Sequence, residues 1–115
     1  MPDSTLHFGI LGAGRIGSLH AGHLHRDVAA ARVVAVSDPR EVAAPRLAEE
    51  VGAALATADY RRLLDQAEVD AVVIGSPAGT HTELIDAAAS AGKHVFCEKP
   101  IDYDLARIDA ALSAV

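Results

Sequence analysis

Apolar residues in this chain alternate between short unbroken runs and longer stretches at helical spacing. Residues 6–11 read as a short buried strand, and from Ile16 onward the spacing turns helical, placing Ile16, Leu19, His23 and Leu24 on one side. This first helix is expected to end near Asp27. Residues 32–37 carry the run Val33-Val34-Ala35-Val36, which suits a strand buried on both faces of a parallel sheet. A helix follows over about 40–51 with Gly52 at its C′ position. Pro45 requires that helix either to start late, near Ala44, or to kink. Residues 53–56 predict a short third strand, and Asp59 predicts an N-cap for a short helix carrying Leu63, Leu64 and Ala67.

Residues 71–74 form the next buried strand, followed by an irregular loop over 75–79. Thr80-His81-Thr82-Glu83 matches a capping box, with Thr80 as the cap and Glu83 reaching back. Its helix buries Leu84, Ile85, Ala88 and Ala91 and stops at Gly92. Residues 93–97 give another strand. Asp104 then caps a last helix striped with Leu105, Ile108, Leu112 and Val115, and residues 1–5 are polar and expected to fray. This β-α alternation predicts a doubly wound α/β sheet with all strands parallel. Ligands bind such sheets beyond the carboxyl ends of the strands. The turn at residues 12–17, Asp38, the Ser76-Pro77 loop and Glu98-Lys99-Pro100 all follow strands, so they are expected to converge on one edge.

The turn itself is Gly12-Ala13-Gly14-Arg15-Ile16-Gly17. G-x-G-x-x-G between a strand and a helix is the phosphate-binding turn of a dinucleotide (Rossmann) fold. Gly12 permits the tight turn, Gly14 lets a pyrophosphate approach the backbone, and Gly17 lets the helix pack on the strand. Arg15 and Ile16 belong to the helix N-terminus, whose N–H groups and dipole favour phosphate. Asp38 stands 21 residues past Gly17, near the distance expected of a carboxylate that accepts from the adenine ribose hydroxyls. Such a carboxylate repels a 2′-phosphate, which favours NAD as cofactor. Arg40 leaves NADP possible as a phosphate partner, although it reads more readily as a solvated surface charge. Pro77 offers a ring to cover a nucleotide and Ser76 a hydroxyl; the pair equally suits an ordinary turn. His81 either donates to a ligand or sits at the surface.

Composition narrows the class. The 115 residues make one domain, half of them hydrophobic, but 24 are Ala and only four aromatic, so the core is closely spaced and short of large side chains. A net charge of −6 with no Lys/Arg run argues against nucleic acid. No stretch approaches the roughly 20 apolar residues needed to span a membrane. The lone Cys97 excludes an internal disulfide and suits a reducing compartment, and the N-terminus lacks a secretion signal, so a cytoplasmic location is expected. Cys97 is expected to be a small buried residue. His20 and His23 are i,i+3 neighbours without a completing ligand set, so no metal site is expected.

The turn with His20, then Ser37-Asp38-Pro39, Ser76-Pro77 with Thr80-His81, and Ala91-Gly92-Lys93-His94-Val95 with Cys97-Glu98-Lys99-Pro100, resemble the N-terminal domain of the Gfo/Idh/MocA oxidoreductases. The similarity is greatest to the inositol 2-dehydrogenase branch and covers nearly the whole chain. The resemblance implies an NAD(P)-dependent enzyme acting on a hydroxyl of an inositol, sugar or related polyol. It implies that Lys99 lies near nicotinamide and substrate as a catalytic group, that Glu98 orients the cofactor end of the site, and that Pro100 helps to aim Lys99. It further implies a C-terminal α+β domain, absent from these residues, that supplies the base, most substrate contacts and the surface through which subunits pair as a homo-oligomer. The last helix lacks a stop signal, and with that missing domain the chain reads as a truncated dinucleotide-binding domain spanning residues 1–115, able to bind cofactor but not to turn over. Two rivals are a non-catalytic nucleotide-binding or cofactor-sensing module and a methyltransferase. Ile10 stands where the latter usually places an acid.

Overall fold

The computed structural model describes residues 5–97. Five segments form strands: β1 (Leu6–Leu11), β2 (Ala31–Ser37), β3 (Leu55–Thr57), β4 (Ala71–Ile74) and β5 (His94–Cys97). Between them lie α1 (Arg15–Asp27), α2 (Ala43–Val51), α3 (Tyr60–Leu64), a 3₁₀ turn at Ala78–Thr80, and α4 (His81–Ser90). All pairings are parallel and the order is β3-β2-β1-β4-β5. The chain winds outward from β1 through β2 to β3, then returns to the other side of β1. This is the doubly wound arrangement expected from the alternation, with its switch point between β1 and β4.

Side chains alternate between two cores, as a sheet covered on both faces requires. Val72 and Ile74 pack with Leu63, Leu64, Leu84 and Ile85, whereas Ala71 and Val73 pack with Ile10, Val36, Ala21 and Leu47. One exception has a local cause. Adjacent Val34 and Ala35 both join the first core. The β1–β2 register shifts there, Phe8 pairing with Val33 and Gly9 with Ala35, so Val34 is an extra residue that reverses the alternation.

The ends of the strands are level. Leu11, Ser37, Thr57, Ile74 and Cys97 form one row of paired residues. Beyond that row Gly12 N donates to Ser37 O, Asp38 N to Thr57 O, and Gly75 N to Leu11 O, so the first loop residues stay bound to the sheet. The loops after β1, β2, β3 and β4 therefore open from a common edge.

Several expectations need correction. The packed side of α1 is Gly17, Ala21 and Gly22, while Leu19 is 61% exposed and Ile16 40%. At Gly17 the helix lies against the Gly12 backbone, where a larger side chain has no room. Pro45 is accommodated by a late start, in the first turn of a helix that begins at Ala43, and Gly52 closes it at φ 73°. Strand β3 lies two residues later than predicted, where its backbone meets β2. Asp59 does cap α3, accepting from Arg61 N, but that helix ends at Leu64 and leaves Ala67 exposed. Ala91 is likewise exposed, as the C-cap of α4. The stretch read as wholly irregular contains the 3₁₀ turn.

The capping box does not form. Thr80 has helical backbone angles and makes no side-chain cap. The 3₁₀ turn already carries the chain into the helix, with Thr80 N donating to Pro77 O, so its hydroxyl turns to Pro77 O instead and Glu83 accepts from Tyr60. Of the start expected to fray over residues 1–5, residues 1–4 lie outside the described residues, as do Glu98, Lys99, Pro100 and the stretch expected to form a last helix.

Candidate functional site

Where the glycine turn meets the loops after β2, β3 and β4, the sheet edge opens into a cleft of about 940 Å³. Of the residues expected to bind cofactor, Gly12, Gly14, Arg15, Ile16, Asp38, Arg40, Ser76 and Pro77 all line it. Gly17 and His81 do not, and each has a structural task beneath the wall.

The glycines divide into two kinds. Gly12 has φ +103°, and a Cβ there would lie 2.6 Å from Ser76 N. A Cβ on Gly17 would collide with the Gly12 carbonyl oxygen, and one on Gly75 would lie 2.6 Å from Gly17 Cα. These three form a backbone-on-backbone contact that brings α1 onto the β1 and β4 loops. Gly75 was not singled out from the sequence, although a glycine directly after a buried strand was the available signal. Gly14 differs. Its φ is −80°, which any residue adopts, and an added Cβ would meet only Arg40 Nη2 at 3.4 Å. Packing does not demand glycine there, and the space left by the missing side chain belongs to the cleft. The N-terminus of α1 opens on the same space, without an acidic residue in its first turn. The N–H groups and dipole at such a helix start suit an anion such as a pyrophosphate.

Asp38 is buried, 5% exposed, at the opposite end of the turn. Its Oδ2 accepts from Ala13 N at 2.8 Å and from Arg40 Nη2 at 3.0 Å. Its Oδ1 accepts from Arg40 N and Arg40 Nε, both at 2.9 Å. The guanidinium holds the carboxyl well below its ordinary value of 3.8, to about 2, against the opposing effect of burial and with help from the two backbone donors. Arg40 is exposed, as a solvated surface charge would be, and it is also ion-paired to Asp38 on the wall of the cleft.

The Ser76-Pro77 loop is braced from behind. Ser76 Oγ and Thr80 Oγ1 lie 2.6 Å apart, and Thr80 Oγ1 donates to Pro77 O at 2.7 Å. His81 neither faces the cleft nor sits at the surface. It is 3% exposed, and its Nε2–H donates to Ser76 O at 2.6 Å. It is a positioning residue for the loop. Replacing it (His81→Ala) leaves a cavity and an unpaired carbonyl, so urea unfolding should show a loss of about 2 kcal/mol.

Sequence reasoning missed the loop after β3. Ala58, Asp59, Tyr60 and Arg61 line the cleft beside Asp38. Tyr60 OH donates to Glu83 at 3.1 Å, tying this loop to α4, and the Arg61 guanidinium lies 4.8 Å from the Tyr60 ring centroid. Burial first, and then Glu83, raise the Tyr60 hydroxyl above its ordinary value, so it stays protonated as the donor. An aromatic residue directly after a cap, in a chain with only four, was the signal. On α1, His23 Nδ1 pairs with Asp27 at 3.0 Å, and among the described residues no three potential metal ligands gather.

Comparison with known proteins agrees with this geometry. A family model described as an oxidoreductase family with an NAD-binding Rossmann fold matches residues 6–115. The chain is 47% identical over 111 residues to inositol 2-dehydrogenase of Rhizobium meliloti (strain 1021), covering 96% of this chain and 33% of that protein. It is 41% identical over 104 residues to myo-inositol 2-dehydrogenase of Thermotoga maritima, covering 90% and 31%. The crystal structure of scyllo-inositol dehydrogenase from Lactobacillus casei with bound NAD(H) and scyllo-inositol superposes with a TM-score of 0.90 at 34% identity, covering 96% of this chain and 32% of that one. The chain spans about a third of the length of the curated relatives it matches.

Proposed function

The chain belongs to the Gfo/Idh/MocA oxidoreductases, whose fold is the NAD-binding Rossmann fold, and from that membership we propose that it is the cofactor-binding domain, residues 1–115, of an NAD(P)-dependent dehydrogenase acting on an inositol or a related polyol. The observation that carries this reading is the meeting of Gly14, Asp38 and Pro77 in one cleft at the β1–β4 switch point, with the space at Gly14 unclaimed by any packing need. In this reading the Gly14 backbone and the start of α1 hold the pyrophosphate. Asp38 selects the ribose diol and favours NAD over NADP. Gly12, Arg15, Ile16 and Arg40 shape the dinucleotide wall around them, with Gly17 and His81 supporting it from below. Ser76 and Pro77 flank the far end of the dinucleotide.

A nicotinamide held there would supply a hydride acceptor for the alcohol carbon, and a base would be needed to take the hydroxyl proton. Lys99 is proposed to hydrogen-bond the reacting oxygen as charge develops on it. Glu98 and Pro100 would orient that end of the site. The base and the remaining substrate contacts are assigned to a second domain, through which the whole enzyme pairs as a homo-oligomer in the cytoplasm. Among the described residues no helix is long and apolar enough to cross a membrane. Neither nucleic acid nor membrane is proposed as a partner.

Titration of the 115-residue chain with NADH, NADPH and S-adenosylmethionine, followed by calorimetry, tests the binding. Saturable NADH binding below about 1 mM is expected, with S-adenosylmethionine inert. Tighter S-adenosylmethionine binding would overturn the dehydrogenase reading. In the same buffer, myo- or scyllo-inositol with NAD should give no NADH above background. Steady turnover by this chain alone would show that its own residues supply the base.

A further inference from the structure

A carboxylate offers about four acceptor positions, two on each oxygen. On Asp38 all four are taken, and they divide evenly. Each oxygen accepts one backbone N–H, from Ala13 on Oδ2 and from Arg40 on Oδ1. Each also accepts one guanidinium N–H of Arg40, Nη2 on Oδ2 and Nε on Oδ1. The backbone pair is held by the glycine turn and by the start of the next loop. The guanidinium pair belongs to a side chain that is 63% exposed. A ribose diol brings the same number of donors as that fork, two neighbouring hydroxyls, one for each carboxylate oxygen.

We infer that the Arg40 guanidinium occupies the place of the adenine ribose diol, so that NAD(H) binds only as Arg40 leaves Asp38, and that Arg40 thereby sets the balance between NAD(H) and NADP(H). The inference rests on the dinucleotide reading of the cleft. The fork keeps Asp38 ionised and aimed, with Arg40 as a placeholder. On binding, the backbone donors remain and two hydroxyls replace two N–H groups. The displaced guanidinium has somewhere to go. A second cavity of about 180 Å³ lies beside Arg40, with Arg46, Ser18 and Glu50 on its wall, and Glu50 offers a counter-charge. A cofactor with a 2′-phosphate meets a different balance. Asp38 repels the phosphate, but a guanidinium already at that position becomes its partner.

The test is a fluorescence titration of the folded chain with NADH and NADPH, comparing wild type with Arg40→Met and Arg40→Lys. Lysine keeps the positive charge near the phosphates but cannot form the two-pronged fork, so it isolates the competition from the general field. Arg40→Lys should bind NADH about two- to fivefold more tightly than wild type, the span expected for releasing an exposed pair. NADPH binding should weaken by about tenfold in Arg40→Met and less in Arg40→Lys. A second readout is salt. Raising ionic strength loosens the Asp38–Arg40 pair, so the NADH advantage of Arg40→Lys over wild type should shrink. Unchanged or weaker NADH binding by Arg40→Lys overturns the inference and makes Arg40 a ligand of the dinucleotide or a bystander. If folded wild type binds neither reduced cofactor, the dinucleotide reading itself fails, which is a distinct result.

Discussion

Gly17→Ala is expected to unfold much of the population at growth temperature, whereas Gly14→Ala should leave the fold intact and lose the cofactor. The two positions lie three residues apart in one motif, yet their surroundings are opposite. At Gly17 a methyl would land on the Gly12 carbonyl oxygen, with the Gly12 carbonyl carbon only 2.9 Å away. Neither neighbour is a side chain that can rotate away. Relief requires α1 to move off β1 and β4, which opens the packed face made by Gly17, Ala21 and Gly22. We expect a loss of about 3 kcal/mol or more, a large part of what a domain of this size has. That corresponds to a fall in the melting temperature of about 12 °C or more by circular dichroism. At Gly14 the backbone angle suits alanine and the nearest atom is Arg40 Nη2 at 3.4 Å, an ordinary contact. Its melting temperature should stay within about 3 °C of wild type. NADH affinity should nevertheless fall about tenfold or more, because the methyl fills the space that a pyrophosphate needs. Undiminished binding by Gly14→Ala would remove the phosphate cradle from the proposal.

The contrast also shows what could be read from residue order. Strands β1 and β4 have the predicted bounds because each is a short, largely apolar segment closed by a glycine, a pattern that depends on nothing distant. Gly52 is likewise a local signal, since the left-handed turn it makes favours glycine. Strand β3 was misplaced because the Ala-rich stretch before it has no internal gradient, and its position comes from pairing with β2. The packed side of α1 was misjudged because helical periodicity weighs large apolar residues, whereas contact between backbones selects small ones. Thr80 and Glu83 have the right spacing for a capping box, but the 3₁₀ turn and Tyr60 take up the groups that would have formed it. His81 is polar, and only the closeness of Ser76 O makes burial its better environment. The convergence of Gly14, Asp38 and Pro77 was legible, since parallel topology sends every post-strand loop to one edge. The pairing of Asp38 with Arg40 across Pro39 needed coordinates, because a side chain two residues away can as easily point to water.

Asp38→Ala should be the most damaging change to the cleft that spares the fold. The carboxylate can accept from two hydroxyls at once, and each charge-assisted hydrogen bond lost is worth about 1.5 kcal/mol or more. NADH affinity should fall about a hundredfold, as measured by fluorescence titration. The change also leaves Ala13 N–H and the Arg40 fork without their acceptor, so stability must be followed beside affinity. Asp38→Asn separates the two effects through pH. The folded carboxyl titrates near 2 and the unfolded one near 3.8, so its contribution is fully present above the unfolded value and disappears as pH falls through the folded one. With Arg40 largely in solvent, that contribution is about 1 to 2 kcal/mol. In urea melts Asp38→Asn should therefore trail wild type by this amount at pH 7. The gap should narrow below about pH 4 and be mostly gone near pH 2, where half of the folded carboxyls are protonated and so as neutral as the amide. A gap that persists unchanged to pH 2 would mean that shape, and not the charge held by Arg40, is what the turn requires of Asp38.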